Sequence, residues 1–133
     1  MTAITIQPEG WAPARGYANG MVADGRVLSV GGQIGWNAAQ IFETRDFIGQ
    51  MDQALRNVVQ VVRAAGGDVG DIVRLTWYVT DKREYLARLS EIGAVYRGIM
   101  GYHFPAMTMV VVADLIEDEA LLEIEATAIL PSA

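Results

Sequence analysis

The sequence predicts an α+β domain: about six strands in a mixed sheet with two helices on one face, in the order β-β-β-α-β-α-β-β. Three observations carry this. Phe47 to Ala65 sets Phe47, Ile48, Met51, Leu55, Val58, Val59 and Val62 at helical spacing and stops at Gly66-Gly67. Ile72 to Val79 is rich in β-branched and aromatic residues, the composition of a strand. Ala106 to Val112 and Leu121 to Leu130 are further strand-like runs on either side of a charged turn, so the helices have one sheet to cover.

The remaining elements follow in chain order. Ala18 to Ala23 and Arg26 to Val30 flank Asp24-Gly25, a pair that tolerates the positive φ angles of a type I′ turn, and predict a β-hairpin. After the central strand, Thr80 or Asp81 is placed to cap a second helix, roughly Glu84 to Met100. Its buried stripe is expected at Tyr85, Leu86, Leu89, Ile92, Val95, Tyr96 and Ile99. Pro105 can open the next strand but cannot sit inside it, which sets the start at Ala106. In that strand both alternating sets, Met107, Met109, Val111 and Thr108, Val110, Val112, are nearly apolar, as in a strand buried on both sides. Two helices cover one face only. The opposite face is therefore expected against another chain or, alternatively, under the N-terminal segment or a long loop.

Composition narrows the function. A chain of 133 residues is expected to form one domain, 1–133. It contains no cysteine and a single histidine, which excludes disulfides, thiolate chemistry and multi-histidine metal sites. Asp68, Asp71, Asp114, Glu117, Asp118 and Glu119 lie in expected turns without an EF-hand pattern and read as solvated charges, so no metal or other cofactor is implied. A net charge of −6 and a pI near 4.6 oppose attraction to phosphate backbones, so nucleic acid is not an expected partner. Met1 to Pro8 lack a basic region and a long apolar core. No apolar run approaches the roughly 20 residues of a membrane span, and a cytoplasmic protein without a membrane partner is expected.

Few motifs carry chemistry. Gly31-Gly32-Gln33-Ile34-Gly35 follows a strand but does not open into a helix, so close backbone approach to a ligand or a neighbouring subunit explains it better than a phosphate loop. The three serines lie outside any nucleophile elbow. Glu123 and Glu125 are two apart on one strand face and could divide acid and base roles, or simply line a solvated face. His103, in Tyr-His-Phe-Pro at a strand entry, could shuttle a proton or serve structure. Trp36 and Trp11, among glycines, could flank a flat ligand or pack at a subunit interface.

Phe104 to Ala113, in which Pro105 and Thr108 frame Met107, and Glu123-Ile124-Glu125-Ala126 resemble the Rid family of small deaminases, also called YjgF, YER057c, UK114 or L-PSP. Gly16-Tyr17, Gly32-Gln33-Ile34, Gln50, Asn57, Ala65-Gly66, Gly70-Asp71-Ile72-Val73, Tyr96 and Pro105-Ala106 extend the match over nearly the whole chain. The resemblance implies a chorismate-mutase-like (YjgF-like) fold, a homotrimer and small-molecule sites in the clefts between subunits. It also implies hydrolysis of enamine and imine acids to ketoacids and ammonia. In catalytic members an arginine holds the substrate carboxylate, and a glutamate with backbone groups positions water. Matched residue by residue, Met107 stands at the arginine position, Glu123 at the glutamate and Tyr17 at the pocket tyrosine. Gly31 stands at a usual serine and Gly93 at a frequent asparagine. Glu123 is thus the candidate catalytic residue, with Tyr17, Gly31, Gly32, Trp36, His103, Met107 and Thr108 as candidate substrate-binding residues. Two functions stay open: an imine or enamine hydrolase with altered substrate preference, and a metabolite-binding module without turnover. The ribonuclease activity attached to parts of the family is the less expected third.

Overall fold

A computed structural model describes residues 3–132. Its strands are β1 (Ile4–Ile6), β2 (Gly20–Val22), β3 (Arg26–Ile34), β4 (Ile72–Val79), β5 (Ala106–Val111) and β6 (Leu122–Leu130). Helix α1 (Phe47–Ala64) lies between β3 and β4, and α2 (Lys82–Ala87) and α3 (Leu89–Met100) lie between β4 and β5. Four strands form a mixed sheet in the order β3-β6-β4-β5, in which β4 and β5 run parallel and the other neighbours antiparallel. β1 and β2 form a separate two-stranded ribbon, tied to the main sheet by a bridge between Ala18 and Ala106. There the Ala18 N–H donates to the Pro105 carbonyl at 3.0 Å.

The expected Asp24-Gly25 hairpin does not form. β2 pairs with β1, and β3 spends its length on β6, from Arg26 opposite Leu130 to Ile34 opposite Glu123. β2 spends its pairing on β1, and β3, the terminal strand of the main sheet, pairs on one edge only, so the local turn signal is not carried into a β2–β3 ladder. Gly25 is still required. Its φ is 145°, and a Cβ there would overlap the Leu130 carbonyl oxygen, so the chain changes sheets hard against the end of β6.

Helix α1 forms as its pattern predicts. The Asp46 carboxylate caps it by accepting from Gly49 N–H, and Gly66, at φ 92°, follows its end. Met51, Ala54, Leu55, Val58, Val59 and Val62 face the sheet and are buried. One polar side chain joins them: Gln50 is fully buried, its amide donating to the carbonyls of Thr44 (3.1 Å) and Glu119 (2.9 Å) and accepting from Leu121 N–H (2.8 Å). Asn57 likewise donates to the carbonyls of Ile34 and Trp36. Both amides pin the loops that enter and leave the sheet.

The second helix is broken. Asp81 caps α2 by accepting from the Arg83 and Glu84 amides, but at Arg88 the backbone leaves the helical region (φ −126°, ψ 27°) before α3 begins. The Arg88 guanidinium reaches Asp46 at 2.6 Å, Glu84 at 3.0 Å and Glu91 at 2.9 Å, fastening the break to the N-terminus of α1. The uninterrupted stripe therefore fails at its start: Leu86 and Leu89 are about half exposed, while Ile92, Tyr96 and Met100 reach the core.

Strand parity sets the two faces of the main sheet. On β6, Leu122, Ile124, Ala126, Ala128 and Leu130 are buried under the helices. On β4 their neighbours Leu75, Trp77 and Val79 do the same. The other face carries Ser29, Arg74, Thr76, Tyr78, Glu123, Glu125 and Thr127, and is more polar than the two-sided apolar pattern of β5 led one to expect. Thr108 and Val110 of β5 are exposed on that face within one chain, because β5 is an edge strand and the helices cover only the opposite side.

Candidate functional site

The β5 edge, α3 and the N-terminal loop enclose a cleft of about 600 Å³. Its floor is Trp77 of β4 with Met107 and Met109 of β5, which pair in register with Leu75 and Trp77 and so face the helices. Its wall is Tyr85, Ile92, Gly93 and Tyr96, and its rim is Arg15, Gly16 and Tyr17. Phe104 stacks on Tyr96 with ring centroids 5.3 Å apart, and the Tyr96 hydroxyl donates to the His103 carbonyl at 2.6 Å. Burial pushes the Tyr96 phenol well above its ordinary range and also raises that of Tyr85, so both are neutral at physiological pH.

A second constellation occupies the helix-free face. Between Val30 and Gln33 the register of β3 against β6 shifts, and Gly31 and Gly32 fill that bulge. The Glu123 carboxylate lies directly over Gly32, where a Cβ would overlap Oε2; a glycine is needed for this approach. Space above Gly31 is open. Glu125, two residues on, accepts from the Tyr78 hydroxyl at 2.6 Å, a bond that raises the phenol's pKa. Among the described residues Glu123 has no hydrogen-bonded or ionic partner, so the two glutamates divide into one engaged and one free.

The candidate residues therefore separate into groups. Tyr17 and Met107 share the cleft. Glu123, Gly31 and Gly32 share the β3 bulge, and Thr108 sits on the same helix-free face, in register with Thr76. His103 lies outside the cleft lining, its Nε2 2.7 Å from the Ile72 carbonyl; a carbonyl only accepts, so the ring proton is on Nε2. Trp36 packs on Phe42 at 5.8 Å and accepts from Asn57, at the far end of β3. The cleft also contains two cations, Arg15 and Arg97, that sequence reasoning passed over. The signal for Arg97 was its spacing: it follows Gly93 by four residues and so shares a helix face with it.

The chain is similar to known proteins in sequence and fold. Residues 9–130 match the family model described as Endoribonuclease L-PSP. The chain is 36% identical over 129 residues to the 2-iminobutanoate/2-iminopropanoate deaminase of Escherichia coli K12, covering 94% of this chain and 96% of that one. Among solved structures, the Rid-family protein YyfB of Yersinia pestis superposes with a TM-score of 0.87 at 33% identity, covering 98% of this chain and 100% of that one. E. coli TdcF, solved with bound serine, gives a TM-score of 0.68 at 33% identity and 92% coverage of each chain. On sequence and fold alike, this chain belongs to the Rid (YjgF/L-PSP) family.

Proposed function

We propose that this protein hydrolyses an imine or enamine metabolite, in a cleft completed when copies of the chain assemble as a trimer. The observation that carries the reading is the Glu123 carboxylate, held over Gly32 and unpaired among the described residues. A carboxylate with no partner of its own has its oxygens available to a water. Glu123 takes a proton from a water as that water adds to the imine carbon and returns it to the imine nitrogen. The carbinolamine so formed expels ammonia and leaves the carbonyl product. The neighbouring open backbone at Gly31 donates to the water or the substrate. Similarity to the E. coli deaminase over 94% of this chain supports the reaction class.

Met107 sets the preference. At the position where the family resemblance places an arginine, its thioether, with Met109, makes an apolar floor suited to a less polar substrate than a small imino acid. That same floor favours the second reading, a module that binds a metabolite without converting it. Ammonia release from a panel of imines separates the two. Release above buffer that vanishes in Glu123→Ala supports hydrolysis, and no release with any member leaves the binding module. Cleavage of RNA is opposed by the charge of −6, and would be credited only if it were lost on substituting cleft residues.

A further inference from the structure

Helix α3 carries an arginine that the cleft has made room for. Arg97 lines the cleft one helical turn beyond Gly93, and a Cβ on Gly93 would lie 3.0 Å from Arg97 Nη1. The guanidinium is thus folded back over the glycine, a placement that a larger side chain would crowd. Arg15 lines the same cleft from the N-terminal loop. Among the described residues neither arginine makes a side-chain hydrogen bond or ion pair, which they share with Arg74 and Arg83, but Arg15 and Arg97 alone line the cleft. Both guanidinium groups are exposed to solvent and free to meet a ligand, and two cations on one largely apolar cleft favour a ligand that brings an anionic group.

We infer that the cleft recognises an anion from the helix side, with Arg97 and Arg15 as the cations. The ligand class is a carboxylate attached to an apolar or aromatic body. The donors take the carboxylate, and Met107, Met109, Tyr85 and Phe104 take the body. The volume of about 600 Å³ lies within the range of ligand pockets and exceeds the needs of a three- or four-carbon acid. This rests on reading the cleft as the substrate site, and it moves the carboxylate contact from strand β5 to helix α3.

Equilibrium binding tests it without turnover. Phenylpyruvate, a stable keto acid, and phenylacetone, its counterpart lacking the carboxylate, are titrated into the full-length protein by calorimetry. Phenylpyruvate should bind the tighter of the two, and Arg97→Met should weaken it about tenfold or more, the scale of a charge-assisted bond, while phenylacetone changes less than twofold. Arg97→Lys should recover part of the loss, and Arg83→Met, an arginine outside the cleft, should change neither probe. Arg97 is exposed and, among the described residues, its side chain bonds to nothing within the fold, so an unchanged Tm is expected to accompany the loss. Equal affinity for the two probes, no saturable binding, or an Arg97→Met protein that binds phenylpyruvate as before would overturn the inference. Charge-dependent binding lost in Arg97→Met without ammonia release from any imine would keep the anion site and sink the hydrolase. Ammonia release that is unaffected by Arg97→Met would do the reverse.

Discussion

Replacing Gln50 by leucine should destabilise the protein well beyond what a change of similar volume costs. The Gln50 side chain makes three hydrogen bonds from a fully buried position, to the Thr44 and Glu119 carbonyls and from the Leu121 amide. Leucine fills the space and satisfies none of them. Each buried partner left unpaired costs about 1–3 kcal/mol, so three give roughly 3–9 kcal/mol before relaxation. The partners are only partly buried, so water will recover some of this, and the apolar leucine returns about 1–2 kcal/mol of its own burial. A net loss of about 3–4 kcal/mol follows, near 10 °C in Tm at roughly 3 °C per kcal/mol for a chain of this size. Thermal and urea unfolding at one fixed protein concentration measure it, the concentration being held because association would shift both transitions. A fall below about 3 °C, the equivalent of a single bond, would refute the claim that this side chain locks the Thr44 and Glu119 loops to the helix. Loosening Glu119 and Leu121 also frees the entry to β6, so the ammonia-releasing activity should fall with stability.

Three other outcomes are expected. Met107→Arg should raise hydrolysis of 2-iminobutyrate or 2-aminoacrylate by about 10²- to 10³-fold over the parent, from one restored charge-assisted carboxylate contact; no gain would show that more than this position sets the preference. Gly32→Ala should abolish ammonia release with little change in unfolding midpoint, because the added Cβ displaces the Glu123 carboxylate and not the buried core; retained activity would separate Glu123 from the reaction. Stability should fall in acid through Asp46 and Glu91, whose pKa values the Arg88 hydrogen bonds hold below the ordinary 3.8 and 4.5. Because the folded values are depressed, their contribution is complete above about pH 4.5 and is lost as pH drops through the folded values. Arg88→Met should flatten that limb of a Tm against pH curve, and an unchanged limb would mean that other carboxylates dominate acid unfolding.

The legible parts of this fold are those decided within one element. Helix α1 was readable to within a residue because its apolar period, its Gly66-Gly67 stop and its core contacts agree. β4 was readable because Ile72 to Val79 is bounded by turn residues on both sides. What escaped depends on distant partners. The hairpin signal at Asp24-Gly25 gave way to a β1–β2 ribbon, while β3 pairs with β6, a hundred residues on in the chain, and no local rule supplies either partner. The break at Arg88 is held by Asp46 from another helix, so periodicity alone ran α2 and α3 together. Gln50 matched the family pattern without disclosing why; its role appears only once Thr44, Glu119 and Leu121 are seen to converge on it. Among the candidate site residues, Tyr17 and Met107 are gathered by the fold, whereas His103 and Trp36 face backbone and aromatic partners elsewhere.

Parity also constrains any reaction in which Met107 and Glu123 act on one substrate. Side chains alternate across a strand, and both residues belong to the same four-stranded sheet. Met107 pairs with Leu75 on the helix side, and Glu123 pairs with Tyr78 on the other. No rotamer carries a side chain through a hydrogen-bonded sheet, so within one chain the cleft and the free carboxylate cannot meet. A substrate touching both must lie between two copies, with the β5 edge and α3 of one facing the Gly31-Gly32 bulge of the next. The edge strand suits such a contact, since Val110 and Val111 stay exposed beside it in the single chain. Mixing Met107→Asp and Glu123→Ala proteins, each inactive alone, therefore discriminates: shared sites restore a fraction of the activity, and a site contained in one chain restores none.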